Sequence, residues 1–260
     1  MRVLSLDTTT RAGSVALVEE GRLVEERSGD ASRTHAERLP GELIALLAAH
    51  GRTLADIDLF AVASGPGSFT GLRIGIATMQ GAAFVHRRRI VAVSALEALA
   101  RAASTQAAPG TVVGAWIDAH RQEVFSALYR VSDAEAFARD RLVEIEGPHV
   151  DRPSATLERW QRHIAGGAAV IAGDGATIYA ELIVAGAASC GLSVRVVQPT
   201  PLLAGTIAFT ALALVNAGTD GEAGGVRPLY VRRPDAEVDR ERKRVHLEEH
   251  NGHQGQQGTT

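Results

Sequence analysis

Val3-Leu4-Ser5-Leu6-Asp7-Thr8-Thr9-Thr10 is an alternating apolar run that ends on an acidic residue, and Thr111-Val112-Val113-Gly114-Ala115-Trp116-Ile117-Asp118 ends the same way in the second half of the chain. The same succession of signals surrounds each. After Asp7, Ser14–Val18 and Leu23–Arg27 read as strands, joined by the tight turn Glu20-Gly21-Arg22. Thr34–His50 has helical spacing, with Leu39, Leu43, Ile44, Leu46 and Leu47 on it and Gly51 closing it. Leu59–Ala63 is a compact apolar strand, Ser64–Ser68 a loop, Thr70–His86 a helix, Ile90–Val93 a strand and Ala95–Ala103 a helix. Beyond Ala107-Ala108-Pro109-Gly110 the cycle restarts, with strands at Thr111–Asp118, Val124–Arg130 and Leu142–Ile145. Laying Asp7 on Asp118 brings Ala16-Leu17 onto Ala127-Leu128 without a gap, and Val170–Gly175 repeats the strand-to-glycine turn of Leu59–Gly65. Two copies of a strand-strand-strand-helix-strand-helix unit predict an α/β chain of actin-like (ASKHA) architecture, two related lobes each with a mixed sheet flanked by helices. The lobes are expected over 1–106 and 107–234, with the final helix, 201–217, packing back on the N-terminal lobe. Residues 235–260 mix charges with Gly, Gln and Asn. They offer too little apolar surface to offset the entropy of ordering, so disorder is expected there.

The chain of 260 residues is 45% hydrophobic and 22% charged, with a net charge of −3. That is an ordinary soluble composition, without the basic excess of a dedicated nucleic-acid binder. Lys243 is the only lysine, a bias of composition and not of function. Cys190 stands alone, which excludes an internal disulfide and a thiolate-cluster zinc site. No apolar h-region follows the first residues, so no secretory signal is expected. The longest apolar stretch, Leu202–Val215, is too short for a membrane span, and a cytoplasmic protein is the simplest expectation.

Several features bear on chemistry. Gly65, Pro66, Gly67, Ser68 and Gly71 form a glycine loop at the start of a helix, whose free N–H groups suit an anion. The spacing is not the dinucleotide fingerprint and no lysine follows, so spacing alone favours a purely structural turn between strand and helix. Asp7, Thr8 and Thr9 are the candidates for contact with a nucleotide, the acid through hydrated magnesium; the alternative is a carboxylate capping its own turn. His246-Leu247-Glu248-Glu249-His250 has the H-x-x-E-H pattern, but in a polar tail, with His253 as a weak third imidazole, it implies adventitious metal binding at most. Arg87-Arg88-Arg89 and Arg240–Arg244 read as solvated faces, with phosphate contacts beside a partner as the alternative. No Gly-x-Ser-x-Gly elbow is present, and neither a catalytic residue nor a metal ligand is assigned. The helix Thr70–His86 is apolar nearly all round and carries Gly71, Gly75 and Gly81, so it needs cover on two sides. Thr34–His50 shows a similar double stripe. A partner interface is predicted at Leu39, Leu43, Leu46, Leu47, Ile76 and Met79.

Three segments carry a resemblance. Leu4–Thr9, Thr34-His35-Ala36-Glu37-Arg38-Leu39 and above all Ser64-Gly65-Pro66-Gly67-Ser68-Phe69-Thr70-Gly71-Leu72-Arg73-Ile74-Gly75 resemble the TsaB (YeaZ) family, and Pro228–Arg232 fits that family's end. The likeness covers roughly the first hundred residues closely and the rest loosely. It implies an actin-like two-lobed fold and a non-catalytic subunit that scaffolds threonylcarbamoyl transfer to the adenosine beside the anticodon of tRNAs reading A-starting codons. The implied partners are a catalytic paralogue, TsaD, and an ATPase, TsaE, with a homodimer in isolation and tRNA met through the complex. ATP and a metal are then used by the partner complex and no cofactor by this chain alone. The paralogue's Asn-His-x-x-x-His metal motif falls on Ser94–Leu99, where Ala95 and Leu99 replace the two histidines. The competing reading is an independent small-molecule kinase or ATPase of the same fold, for which Asp7 and Gly173-Asp174-Gly175 speak and the bulky Ala119-His120-Arg121-Gln122 turn does not.

Overall fold

The first sheet is built from β1 (Arg2–Asp7), β2 (Ser14–Glu19), β3 (Arg22–Ser28), β4 (Leu59–Gly65) and β5 (Arg89–Ser94), in the order β3-β2-β1-β4-β5. The second uses β6 (Val112–Asp118), β7 (Val124–Val131), β8 (Leu142–Asp151), β9 (Ala168–Ala172) and β10 (Ser193–Val196), in the order β8-β7-β6-β9-β10. Each sheet begins with an antiparallel meander and continues with two parallel strands. The duplication read from the two Asp-terminated strands is therefore a duplication of topology, and the fold is actin-like. The gap-free overlay is corrected by one residue. Ser5 pairs with Ala16, whereas Trp116 pairs with Ser126. The loop after Asp118 is one residue shorter than the loop after Asp7, and a strand's two-residue period makes that slip decisive for which face a side chain occupies.

This computed structural model describes residues 1–164, 167–198, 200–221 and 225–232. Met1–Leu229 form one compact unit. The disorder expected over 235–260, the His246–His250 motif and Arg240–Arg244 lie outside the described residues.

Helices α1 (His35–Ala49), α2 (Phe69–Val85) and α3 (Ala95–Ser104) alternate with the strands of the first half. In the second half come α4 (Pro153–Ile164), the short α5 (Asp174–Ile178), α6 (Ala180–Ser189) and α7 (Ala204–Asn216). One face of the first sheet packs Leu4, Leu6, Leu17, Phe60 and Val62 against Leu39, Leu43, Leu46 and Leu47 of α1 and Ile76 and Met79 of α2. Its other face carries α7, which packs on β1, β2 and β4. The second sheet buries Trp116 and Leu128 against Trp160 and Ile183, with the two indole centroids 5.8 Å apart. Helix α3 packs on β6, β7 and β9 as well as on β4 and β5, and so fills the layer between the sheets beside α7. Among the described residues, no helix is long and apolar enough to cross a membrane.

The predicted partner interface is corrected here. Leu39, Leu43, Leu46, Leu47, Ile76 and Met79 all belong to the core under the first sheet, Leu46 and Met79 without any exposed surface. The reason is that a five-stranded sheet is wide enough to cover a full stripe on both α1 and α2. What remains outside is Ile44 on α1 and Phe84 and Val85 on α2, which are 58%, 76% and 72% exposed.

Candidate functional site

The three segments that carry the family resemblance meet at one end of the first sheet. The carboxylate of Asp7 accepts hydrogen bonds from the Thr9 amide at 2.9 Å and the Thr9 hydroxyl at 2.7 Å, which folds the chain back immediately after β1. Thr34 starts α1: its amide and hydroxyl both donate to Glu37, at 2.8 and 2.7 Å. That places His35 and Arg38, both buried, against the loop between β1 and β2. Arg38 donates to the carbonyls of Arg11 (3.2 Å) and Ala12, to Nδ1 of His35 (2.8 Å) and to Glu42 (2.5 Å). With Nδ1 accepting, the His35 proton sits on Nε2 and donates to the Thr10 carbonyl at 3.1 Å. Burial first, and then the neighbouring Arg38 charge, hold the imidazole below its ordinary pKa.

The glycine loop closes on the same spot from the other side. The Ser68 amide donates to the Thr9 carbonyl at 2.8 Å, and the Ser68 hydroxyl accepts from the Gly71 amide at 3.2 Å, capping α2. A Cβ on Gly71 would meet the Thr8 carbonyl oxygen closer than 3.0 Å, and one on Gly75 would meet the Thr8 hydroxyl equally closely. These glycines let the first turns of α2 lie directly on the end of β1. Gly65 has φ +111°, and a side chain there would press on the Leu229 carbonyl at 3.0 Å. Leu229 in turn donates its amide to the Ser64 carbonyl at 2.7 Å, so Leu229 belongs to the same cluster.

As a nucleotide site the cluster is poorly disposed. Thr8 is fully buried beneath α2, and its hydroxyl has no hydrogen-bond partner. Asp7 and Thr9 are buried and satisfy each other. Burial pushes the Asp7 carboxyl above its usual range, opposed by the Thr9 hydrogen bonds, and the charge of Asp174 pushes it further. Asp174 is raised by burial too, although its carboxylate accepts from the Asp118 amide at 3.0 Å and the Gly175 amide at 2.8 Å. The turn after β6 places three non-glycine residues in succession, His120, Arg121 and Gln122, at φ +56°, +54° and +60°. Ala95 and Leu99 are buried on the inner helix α3, and Glu97 there is bonded to Arg101. Among the described residues no group of three His, Cys, Asp or Glu side chains is placed to hold a metal ion.

Sequence reasoning missed how α7 is anchored. The Ser14 hydroxyl accepts from the Leu203 and Ala204 amides at 3.3 and 3.0 Å, and Glu26 of β3 accepts from the Gly205 amide at 2.8 Å. The anion-binding end of α7 is thus filled by the chain's own side chains. No local pattern signals a cap supplied from almost two hundred residues away.

A family model described as TsaD, tRNA N6-adenosine threonylcarbamoyltransferase, matches residues 28–182, more than half of the chain. The chain is 38% identical over 130 residues to the tRNA threonylcarbamoyladenosine biosynthesis protein TsaB of Escherichia coli K12, covering 50% of this chain and 55% of that one. It is 39% identical over 125 residues to TsaB of Haemophilus influenzae, covering 48% and 52%. The matches thus span about half the length of these curated relatives. The solved structure of YeaZ from Pseudomonas aeruginosa superposes with a TM-score of 0.71 at 30% identity, over 88% of this chain and 99% of that one. The matched model, the TsaB relatives and the near-complete superposition on YeaZ show that the chain belongs to the TsaB/YeaZ family.

Proposed function

We propose that the chain acts in tRNA threonylcarbamoyladenosine biosynthesis as a non-catalytic scaffold for a catalytic paralogue of the TsaD type. The reaction assigned to that partner moves a threonylcarbamoyl group from its adenylate to the adenosine beside the anticodon, with ATP, a metal and the ATPase TsaE belonging to the assembly. Family membership supports the pathway. The observation that carries the scaffold role is α3, where the positions matching the paralogue's metal-binding histidines are Ala95 and Leu99, both closed into the inner layer. Neither offers a lone pair to a cation. A kinase of this fold would instead need a turn after β6 open to phosphate, where the exposed His120, Arg121 and Gln122 stand.

Docking is assigned to the outer faces of α1 and α2. There Ile44, Phe84 and Val85 lie exposed among small residues, Gly41 and Ala45 on α1 and Ala77 and Gly81 on α2. Small side chains let a facing helix approach closely, and the exposed apolar groups supply the area to bury. Ile44→Glu and Phe84→Glu should leave the circular dichroism spectrum unchanged and abolish co-elution with the TsaD-type partner, as well as self-association. Met79→Glu, which buries a charge in the core, should unfold the chain. Complexes that persist at wild-type affinity in both surface variants would refute the assignment of this face.

A further inference from the structure

We propose that the loop between β7 and β8, residues 132–141, is a clasp that fixes the two lobes as one rigid body. Two buried arginines tie this loop to α3, which packs on both sheets, and to the connection that follows α3, each through backbone carbonyls. Arg101, on α3, donates to the carbonyls of Ala138 at 2.6 Å and Arg139 at 3.0 Å, while its Nε is held by Glu97 at 2.9 Å. Arg141 answers in the opposite direction, donating to the carbonyls of Ser104, the last residue of α3, and of Ala107 in the connection beyond it, both at 2.9 Å. The other half of the same guanidinium closes the loop on itself through Ser132 at 3.0 Å and Ala134 at 2.7 Å. Both arginines are buried, 3% and 8% exposed. A third contact reaches α7: the ring of Phe137 lies 4.8 Å from that of Phe209, and Phe137 is held at φ +66° to place it there.

The placement gives the contacts their consequence. The connection from α3 to β6, the first strand of the second sheet, runs from Ser104 to Val112. Arg141 binds carbonyls at two points of it. The Arg141 guanidinium, with both terminal nitrogens on fixed carbonyls, tolerates little change of angle. Moving α3 and the connection away from the loop would strip Arg101 of the Ala138 and Arg139 carbonyls and Arg141 of those of Ser104 and Ala107, leaving buried donors and acceptors unpaired. The chain then presents its docking face as a rigid platform, and lobe closure belongs to its partners. The clasp is a property of this chain alone and stands whether or not the proposed function does.

Hydrogen exchange followed by mass spectrometry on the full chain tests this. In the wild type, amides of 101–107 and 132–141 should be protected to the level of β6 and β7. Arg141→Met and Arg101→Met should each speed exchange in both segments by about tenfold or more while β1, β2 and β6 keep their protection. Small-angle scattering should show the radius of gyration rising in those variants and unchanged by ATP in the wild type. If the arginine variants do not fold, Phe137→Ala, which removes only a half-buried ring, should speed exchange in the same two segments. Wild-type exchange in 132–141 as fast as in exposed turns would overturn the proposal. So would unchanged exchange in the folded variants, or an ATP-induced compaction of the wild type.

Discussion

Replacing Gly71 and Gly81 by alanine, one at a time, should move stability in opposite directions although both lie in α2. A Cβ on Gly81 meets nothing within 4 Å. The gain is then the difference in helix propensity, about 0.5–1 kcal/mol in favour of alanine. A Cβ on Gly71 would fall closer than 3.0 Å to the Thr8 carbonyl oxygen and 3.1 Å from both the His35 ring and the Ser68 hydroxyl. The first of these is backbone at the end of a central strand, so α2 must back away. Overpacking of this kind costs about 1–3 kcal/mol, and subtracting the propensity gain leaves a net loss of about 1–2 kcal/mol. For a chain of this size 1 kcal/mol shifts the midpoint by about 2–4 °C, so the two variants should melt roughly 5–10 °C apart. Thermal unfolding followed by circular dichroism, repeated by urea titration, reads both. If Gly71→Ala is as stable as Gly81→Ala, the glycine motif is not a packing device and must be explained by something that binds there.

Other consequences are more local. Asp174 has its folded pKa raised above its unfolded value near 3.8, so the native state holds the extra proton and stability falls as pH rises through that window. Asp174→Asn keeps an oxygen to accept from the Asp118 and Gly175 amides and should flatten that fall, raising stability at pH 7; an unchanged pH profile in urea titrations would contradict the assignment. Gln122→Gly relieves a left-handed conformation at φ +60° and should stabilise by about 0.5–1 kcal/mol, measured by the same titration; destabilisation would show that the side chain has a role. The pair Ile44→Glu and Met79→Glu should separate surface from core, the first losing self-association with the fold intact and the second losing the fold.

Much of this architecture is legible in the sequence because its signals are local. Strands that end on Asp7 and Asp118, the helix closed by Gly51 and the glycine loop before α2 each announce themselves within a few residues. The helix expected to begin at Pro201 begins at Ala204, where the remote Ser14 caps it. The meaning of the apolar stripes on α1 and α2 was not legible. Periodicity shows that Leu43 and Ile44 are both apolar, but only the position of the sheet decides that Leu43 is core and Ile44 is surface. The glycine motif was visible as a motif, yet its partner, the Thr8 backbone, lies more than sixty residues away. Long-range caps such as Glu26 on α7 leave no periodic trace at all.

As proposed above, this chain supports threonylcarbamoyl transfer without performing it. The direct measurement is reconstitution with purified components: formation of threonylcarbamoyladenosine on a tRNA that reads A-starting codons, assayed with the chain alone, with the TsaD-type partner and TsaE alone, and with all three together. No product is expected from the chain alone, little from the partners alone and sustained product from the full set, with Ile44→Glu or Phe84→Glu reducing the full set to the level of the partners alone. Product formed by the chain alone, or full activity of the partners in its absence, would contradict the proposal.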